Sequence, residues 1–261
     1  MKNAYQNISD MNTAFGNIKG LALEETAIKD AKIISDKGVS RLVAQARNLY
    51  DELDELRDDG FTVLRKDPKS ASGRKEMFDA IADLIVFLYG VGHFVDIPIN
   101  KKHDWYTKHL AEEFKNYSYT VFYEKIYEEI KSMIDELIAA IEHKDVELID
   151  LFMHRLNSKI TALCLSEAKP GYDLDLLIDR VTESNMSKLC RNDEELEATL
   201  KFYRDKGVEV YSKESPLVQE SGKPYLVVYS AKEQTDADGK VYRADKFLKN
   251  INWFEPDITD F

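Results

Sequence analysis

Apolar residues recur at helical spacing through most of the chain and switch to a two-residue period near its end. The clearest helical stripe is Val39, Leu42, Val43, Ala46, Leu49, Tyr50, Leu53 and Leu56, whose steps of three and four share one face. Ile126, Ile130, Met133, Ile134, Leu137 and Ile141 form a second such stripe. Spacing predicts helices over 9–15, 24–35, 39–59, 73–95, 103–116, 120–143, 146–164, 174–190 and 193–206. Gly60, after Arg57-Asp58-Asp59, suits a left-handed cap on the 39–59 helix. Beyond Gly207 the pattern alternates. Val208 to Tyr211 and Tyr225 to Tyr229 read as strands, and Asp236 to Gly239 as a turn before Lys240-Val241-Tyr242. The expected fold is mainly α: a helical bundle with a small C-terminal antiparallel β element.

Composition narrows the function classes. Among 261 residues, 36 Lys and Arg oppose 48 Asp and Glu, a formal charge of −12. A general nucleic-acid binder needs a basic footprint, so no nucleic-acid partner is expected. An anionic small molecule held through metal ions fits better. The two cysteines, Cys164 and Cys190, cannot form a disulfide framework and suggest a reducing, cytoplasmic setting. The longest apolar run, Ile81 to Val95, falls short of the ~20 residues that cross a bilayer. Met1 to Asp10 has no apolar signal core, so no membrane partner is expected.

The candidate chemistry lies in acidic residues. Glu52 and Glu55 sit three apart on the strongest amphipathic helix, flanking its apolar stripe. Glu76, Asp79 and Asp83 share one narrow stripe of the next helix. The rest of that helix is apolar, which predicts burial. Buried carboxylates are costly unless paired, protonated or bound to metal, and few bases lie near them in sequence. Oxygen ligands on two neighbouring helices suit Mg²⁺ or Mn²⁺, and Mg²⁺ commonly shares its shell with substrate phosphates. The competing structural reading places Glu52 and Glu55 in a solvated charge run from Asp51 to Asp59.

Glu-x-x-Glu followed after a spacer by Glu-x-x-Asp resembles the signature of the all-α nucleoside triphosphate pyrophosphohydrolases. That family includes MazG-like proteins and dimeric dUTPases and dCTPases. Glu52, Glu55, Glu76 and Asp79 match the four carboxylates in order, and Asp83 extends the second motif. The segment from Val181 to Leu189, with Ser184-Asn185-Met186-Ser187-Lys188, resembles a segment of phage and bacterial MazG-like proteins. The ending from Lys246 to Ile258 resembles theirs too, with Asn250-Ile251 where Gly-Pro is usual. Ala14-Phe15-Gly16 is similar to the family's opening segment. The likeness covers the start, 42–90 and 172 onward, but not 101–168.

The resemblance implies an all-α pyrophosphohydrolase core over 1–190, with 101–168 as an added helical segment for packing, dimerisation or a lid. Residues 191–261 would be an α+β appendage completing the nucleotide site. It implies Mg²⁺ on Glu52, Glu55, Glu76, Asp79 and Asp83, with Glu52 or Glu55 activating water. Lys188, Lys246 and Lys249 would contact phosphate, Asn185 and Asn252 the base or sugar, and Trp253 would stack on the base or pack the core. The resemblance implies a phage-type nucleotide-pool enzyme acting on dUTP, dCTP or a related dNTP, assembled as a homodimer. The alternatives are a non-catalytic acidic helical interaction protein and a hydrolase of an alarmone or phosphoribosyl nucleotide.

Overall fold

The structure, a computed structural model, describes residues 3–24, 32–99, 104–115, 119–169 and 172–261. The helices are α1 (Ala4–Ala14), α2 (Asp36–Glu55), α3 (Thr62–Lys66), α4 (Ala71–Phe94), α5 (Asp104–Lys115), α6 (Tyr119–Glu142), α7 (Val146–Glu167), α8 (Leu174–Met186) and α9 (Asp193–Asp205). The strands are β1 (Val210–Val218), β2 (Pro224–Ser230), β3 (Gln234–Thr235), β4 (Val241–Tyr242) and β5 (Phe247–Leu248). The protein is therefore mainly α with a small antiparallel β element, as its periodicity predicts.

Two expectations fail locally. Gly60 does not cap α2. The chain runs on through a π-helical turn, Leu56–Phe61, into α3. The Thr62 amide donates to the Arg57 carbonyl, and the Thr62 hydroxyl donates to the same oxygen at 2.8 Å. Gly60 is needed for packing, since a Cβ there would lie 3.1 Å from the Met77 Cα. The expected helix over 24–35 fails where it is described. Leu23 and Ile34 form a β-bridge, and Glu24 and 32–35 are non-helical. Its remainder, 25–31, lies outside the described residues.

Helix starts follow side-chain chemistry. Ser35 Oγ accepts from the Gly38 amide at 2.9 Å, Ser70 Oγ from Gly73 at 3.2 Å, and Asp145 from Leu148 at 3.0 Å. Asn192 caps α9 by accepting from the Glu195 amide at 2.8 Å, while Glu195 accepts from the Arg191 amide.

Contacts divide the chain into two compact units. The first comprises 1–9, 18–179 and 257–261, and the second 10–17 and 180–256. In the first, α2 packs on α4 and α6, and α7 packs on α4, α5 and α6. Helices α5, α6 and α7, which lie within 101–168, thus help build the helical core. Leu42, Ala46, Leu49 and Leu53 of α2 are buried, as are most residues of α4. By length and apolarity α4 could cross a membrane, yet it lies mostly buried inside this unit.

In the second unit, β1, β2 and β5 form an antiparallel sheet in that order. β3 and β4 form a separate hairpin. Its turn places Gly239 at φ +86°, and Asp236 accepts from the Asp238 and Lys240 amides. Val208, Val228 and Leu248 pack with Leu200 and Tyr203 of α9, Cys190 and Tyr242 to form one core.

Candidate functional site

α2 and α4 run antiparallel, as two close approaches show. At one end, Gln45 Nε2 donates to the Phe87 carbonyl at 3.3 Å, and its side chain fills the space beside Gly90. At the other, Gly60 meets the Met77 backbone. Between these points the helices must face each other, which sets Glu52 across from Asp83 and Glu55 across from Asp79 and Glu76. Glu52, Glu76, Asp79 and Asp83 are half-buried, and Glu55 is exposed.

The electrostatics follow that register. Burial, then the charges of Asp83, Glu55, Asp51 and Asp79, push the Glu52 carboxyl up to about 8. Burial, then Asp59, Asp79, Asp51 and Glu76, raise Glu55 as well. No basic residue opposes these shifts. Neither Glu52 nor Glu55 makes a hydrogen bond or ion pair among the described residues. Lys75 lies 3.5 Å from Glu76, a contact of partly exposed groups with little energetic weight.

The acidic run from Asp51 to Asp59 divides by face. Arg57 binds Asp54 at 3.1 Å and Asp58 at 2.7 Å, and donates to the Tyr127 hydroxyl at 2.8 Å. Tyr127 in turn donates to Asp54 at 2.8 Å. Asp54 and Asp58 thus share Arg57, and Asp54 is also held by Tyr127 of α6, while Glu52 and Glu55 couple to the acids of α4. The solvated-run reading fits Asp54 and Asp58 better than it fits Glu52. Asp51 and Asp59 enter the sequence reading only as the ends of that run; their charges also act on Glu55, from which each lies four residues away.

A hard divalent cation matches this donor set chemically, because every group is a carboxylate and the cluster carries excess negative charge. The side chains form no closed cage. Among the described residues no three His, Cys, Asp or Glu side chains converge on a position that could hold a metal ion. Mg²⁺ asks less than such a cage, since it usually keeps several waters and binds through one or two carboxylates plus phosphate.

The remaining candidates lie in the second unit. Lys188 Nζ donates to Asn185 Oδ1 and sits 5.8 Å from the centre of the Phe247 ring. Lys249 Nζ lies 3.2 Å from the centre of the Trp253 ring. Burial and then Lys240 lower its pKa, and Lys246 adds to the effect. Trp253 is half-buried, and its Nε1 has no hydrogen-bond partner among the described residues. Asn252 is exposed, and its amide donates to Asn250 Oδ1 at 3.1 Å.

Asn250 itself is a buried junction. It donates to the Leu189 carbonyl at 3.1 Å and to Glu195 at 3.0 Å, and accepts from Thr199 at 3.2 Å. The residue that departs from the usual Gly-Pro is therefore structural here, tying the end of α8 to α9. Within the first unit Glu52 feels the charges of Asp83, Glu55 and Asp79, and Glu55 those of Asp79 and Glu76, without three of them converging on one point. Within the second the structure brings Asn185 to Lys188 and Lys249 to Trp253.

No protein-family model matches the chain, and no solved structure matches it. An uncharacterized protein, L479, of Acanthamoeba polyphaga mimivirus is 25% identical over 209 residues, which cover 77% of this chain and 76% of that protein.

Proposed function

We propose that the chain hydrolyses the α–β phosphoanhydride of a nucleoside triphosphate with the help of a divalent cation. The reading rests on one observation above others: Glu52 and Glu55 of α2 meet Asp79 and Asp83 of α4 without a basic partner for either glutamate. Folded proteins seldom keep such repulsion unless it is used. The sequence resemblance to the all-α pyrophosphohydrolases supplies the reaction class.

Glu52, Glu55, Glu76, Asp79 and Asp83 would hold Mg²⁺ or Mn²⁺. When bound, the cation supplies charge neutralisation for the triphosphate and a more acidic water. The side chains then divide the labour. Exposed Glu55 orients the attacking water, and Glu52 accepts its proton. Water oxygen bonds to the α phosphorus, the α–β bridging bond breaks, and the products are a nucleoside monophosphate and pyrophosphate. Lys188, Lys246 and Lys249 are the proposed phosphate contacts. Asn185 and Asn252 are the proposed base or sugar contacts, and Trp253 a stacking surface. The proposed substrates are dUTP, dCTP or a related nucleotide, and the proposed assembly is a homodimer.

The lack of three converging carboxylates favours a second reading, a non-catalytic acidic scaffold. One experiment separates the two. Pyrophosphate release is measured from a panel of NTPs and dNTPs with Mg²⁺, with Mn²⁺ and with EDTA. Metal-dependent release that disappears in Glu52→Gln establishes the hydrolase. No release from any nucleotide, together with no Mg²⁺ binding by calorimetry, establishes the scaffold.

A further inference from the structure

Helices α5 and α7 of the first unit present a face that the proposed hydrolysis does not use. Single exposed apolar side chains are ordinary, whereas a contiguous group marks an interaction surface. Trp105, Tyr106, Leu148 and Leu151 are 41% to 77% exposed. They adjoin one another. Leu148 and Leu151 lie three apart on α7, Tyr106 and Leu151 line one pocket, and Trp105 precedes Tyr106 in α5.

That pocket, of about 300 Å³, is lined by Tyr106, Leu151, His154, Arg155 and Ser158. Its polar groups suit a carboxylate. The Ser158 hydroxyl makes no hydrogen bond among the described residues. Arg155 is exposed and meets Glu136 only at 3.6 Å, a weak surface contact. His154 lies 3.3 Å from Asp150, one turn earlier on α7.

One carboxylate on the same face is unmatched. Glu147 is exposed and makes no ion pair among the described residues. It precedes His154, Arg155 and Ser158 by about 10 to 17 Å along the helix, too far to meet them within one chain. An antiparallel second copy of α7 closes that gap. With a two-fold axis at Leu151, Glu147 of one copy comes level with the partner's Arg155, because each lies four residues from the centre. Each Glu147 then faces the partner's pocket, and the apolar side chains close around the axis. A parallel pair would instead set Glu147 against Glu147, and align the two helix dipoles.

The charge distribution favours this face over others. The second unit has 13 Lys and Arg against 15 Asp and Glu, a net of −2, so −10 of the chain's −12 lies in the first unit. Yet α5 and α7 together carry six acids and four bases, a net of only −2. Two copies of an acidic chain repel least where their charge is nearly balanced.

We infer that two copies of this chain pair through this face, α7 antiparallel to α7 about Leu151, with Glu147 of each seated in the other's pocket. The contact gives the proposed homodimer its surface, and it does not depend on hydrolysis.

The test is sedimentation equilibrium of the full chain over about 1 to 100 µM. The parent should dimerise with a Kd of about 10 µM or tighter. Leu151→Asp places two like charges at the axis and should be monomeric throughout. Glu147→Arg and Arg155→Glu should each weaken the dimer at least about tenfold, since symmetry doubles every substitution and opposes like charges. Combining the two should recover the parent Kd within about threefold, which a folding defect would not produce. All three positions are exposed, so the variants keep the core intact. Three results would overturn the inference. A parent monomeric at about 100 µM would leave the face to a different protein. A dimer unaffected by Leu151→Asp would keep the homodimer but move it to another surface. A double variant no tighter than either single one would refute the antiparallel register.

Discussion

Replacing Glu52 with Gln should stabilise the metal-free protein above neutral pH, an unusual outcome for a partly buried polar site. A rise from 4.5 to about 8 corresponds to about 5 kcal/mol at the limit. Glu52 is only half-buried, so screening reduces the working figure to about 2 kcal/mol. The sign follows from linkage. The folded carboxyl holds its proton more tightly than the unfolded one. Glu52 therefore imposes no such penalty below about pH 4.5, and its cost grows as pH rises through about 8. Urea unfolding in EDTA at pH 5 and pH 8 reads this directly. Parent and Glu52→Gln should have similar stability at pH 5, with the variant ahead by about 2 kcal/mol at pH 8. Adding Mg²⁺ should then reverse the order. A ligand at about a hundred times its Kd adds about 2.7 kcal/mol to the protein that binds it, more than the variant's lead of about 2 kcal/mol, and the variant has lost a ligand. A variant that is destabilised at pH 8 in EDTA would show that Glu52 is not held against like charge, and the cluster would lose its significance.

Three further outcomes test neighbouring parts of the argument. Glu55→Gln and Glu76→Gln should each lower kcat by at least a hundredfold with little change in urea midpoint, whereas parent-like turnover would remove them from the site. Asn250→Ala should cost about 2 kcal/mol in urea unfolding, because Leu189, Thr199 and Glu195 each lose a buried partner; a cost under about 0.5 kcal/mol would refute the junction role. Gly38→Ala should destabilise by more than about 2 kcal/mol despite alanine's better helix propensity, because its Cβ would come within 2.1 Å of the Ala22 carbonyl oxygen. An unchanged thermal midpoint would contradict that contact.

The helices were legible because their signals are local. Recurrence of apolar residues at three and four needs no knowledge of the partner surface; the caps at Ser35, Ser70, Asp145 and Asn192 emerge only in the structure. The end of α2 was not legible for a matching reason. Arg57-Asp58-Asp59-Gly60 has the composition of a stop, but Leu56, Phe61 and Leu64 are all buried, and continuing through a π turn keeps them in the core. Burial of three large side chains outweighs the local preference of one glycine. β5 escaped similarly: Phe247-Leu248 is too short to show a period, and it becomes a strand only by pairing with β2.

The candidate site divides along the same line. Spacing alone puts Glu52 with Glu55, and Glu76 with Asp79 and Asp83, because each set lies on one helix. Their meeting depends on tertiary contacts at Gln45–Gly90 and Gly60–Met77, which fix the register of α2 against α4. A one-turn slide would carry Glu52 from Asp83 toward Val86 and Phe87, the half-buried apolar continuation of the same stripe. The two glycines therefore do more than allow close packing. By admitting only one depth of approach, they hold four or five carboxylates opposite one another against their mutual repulsion. The cost is borne by the apolar contacts of α2 and α4 on either side. Arg57, the nearest guanidinium in sequence, cannot relieve the repulsion while Asp54, Asp58 and Tyr127 hold it on the far flank. A cation from solution can, and that makes the charge imbalance, more than any single side-chain position, the physical basis for placing one there.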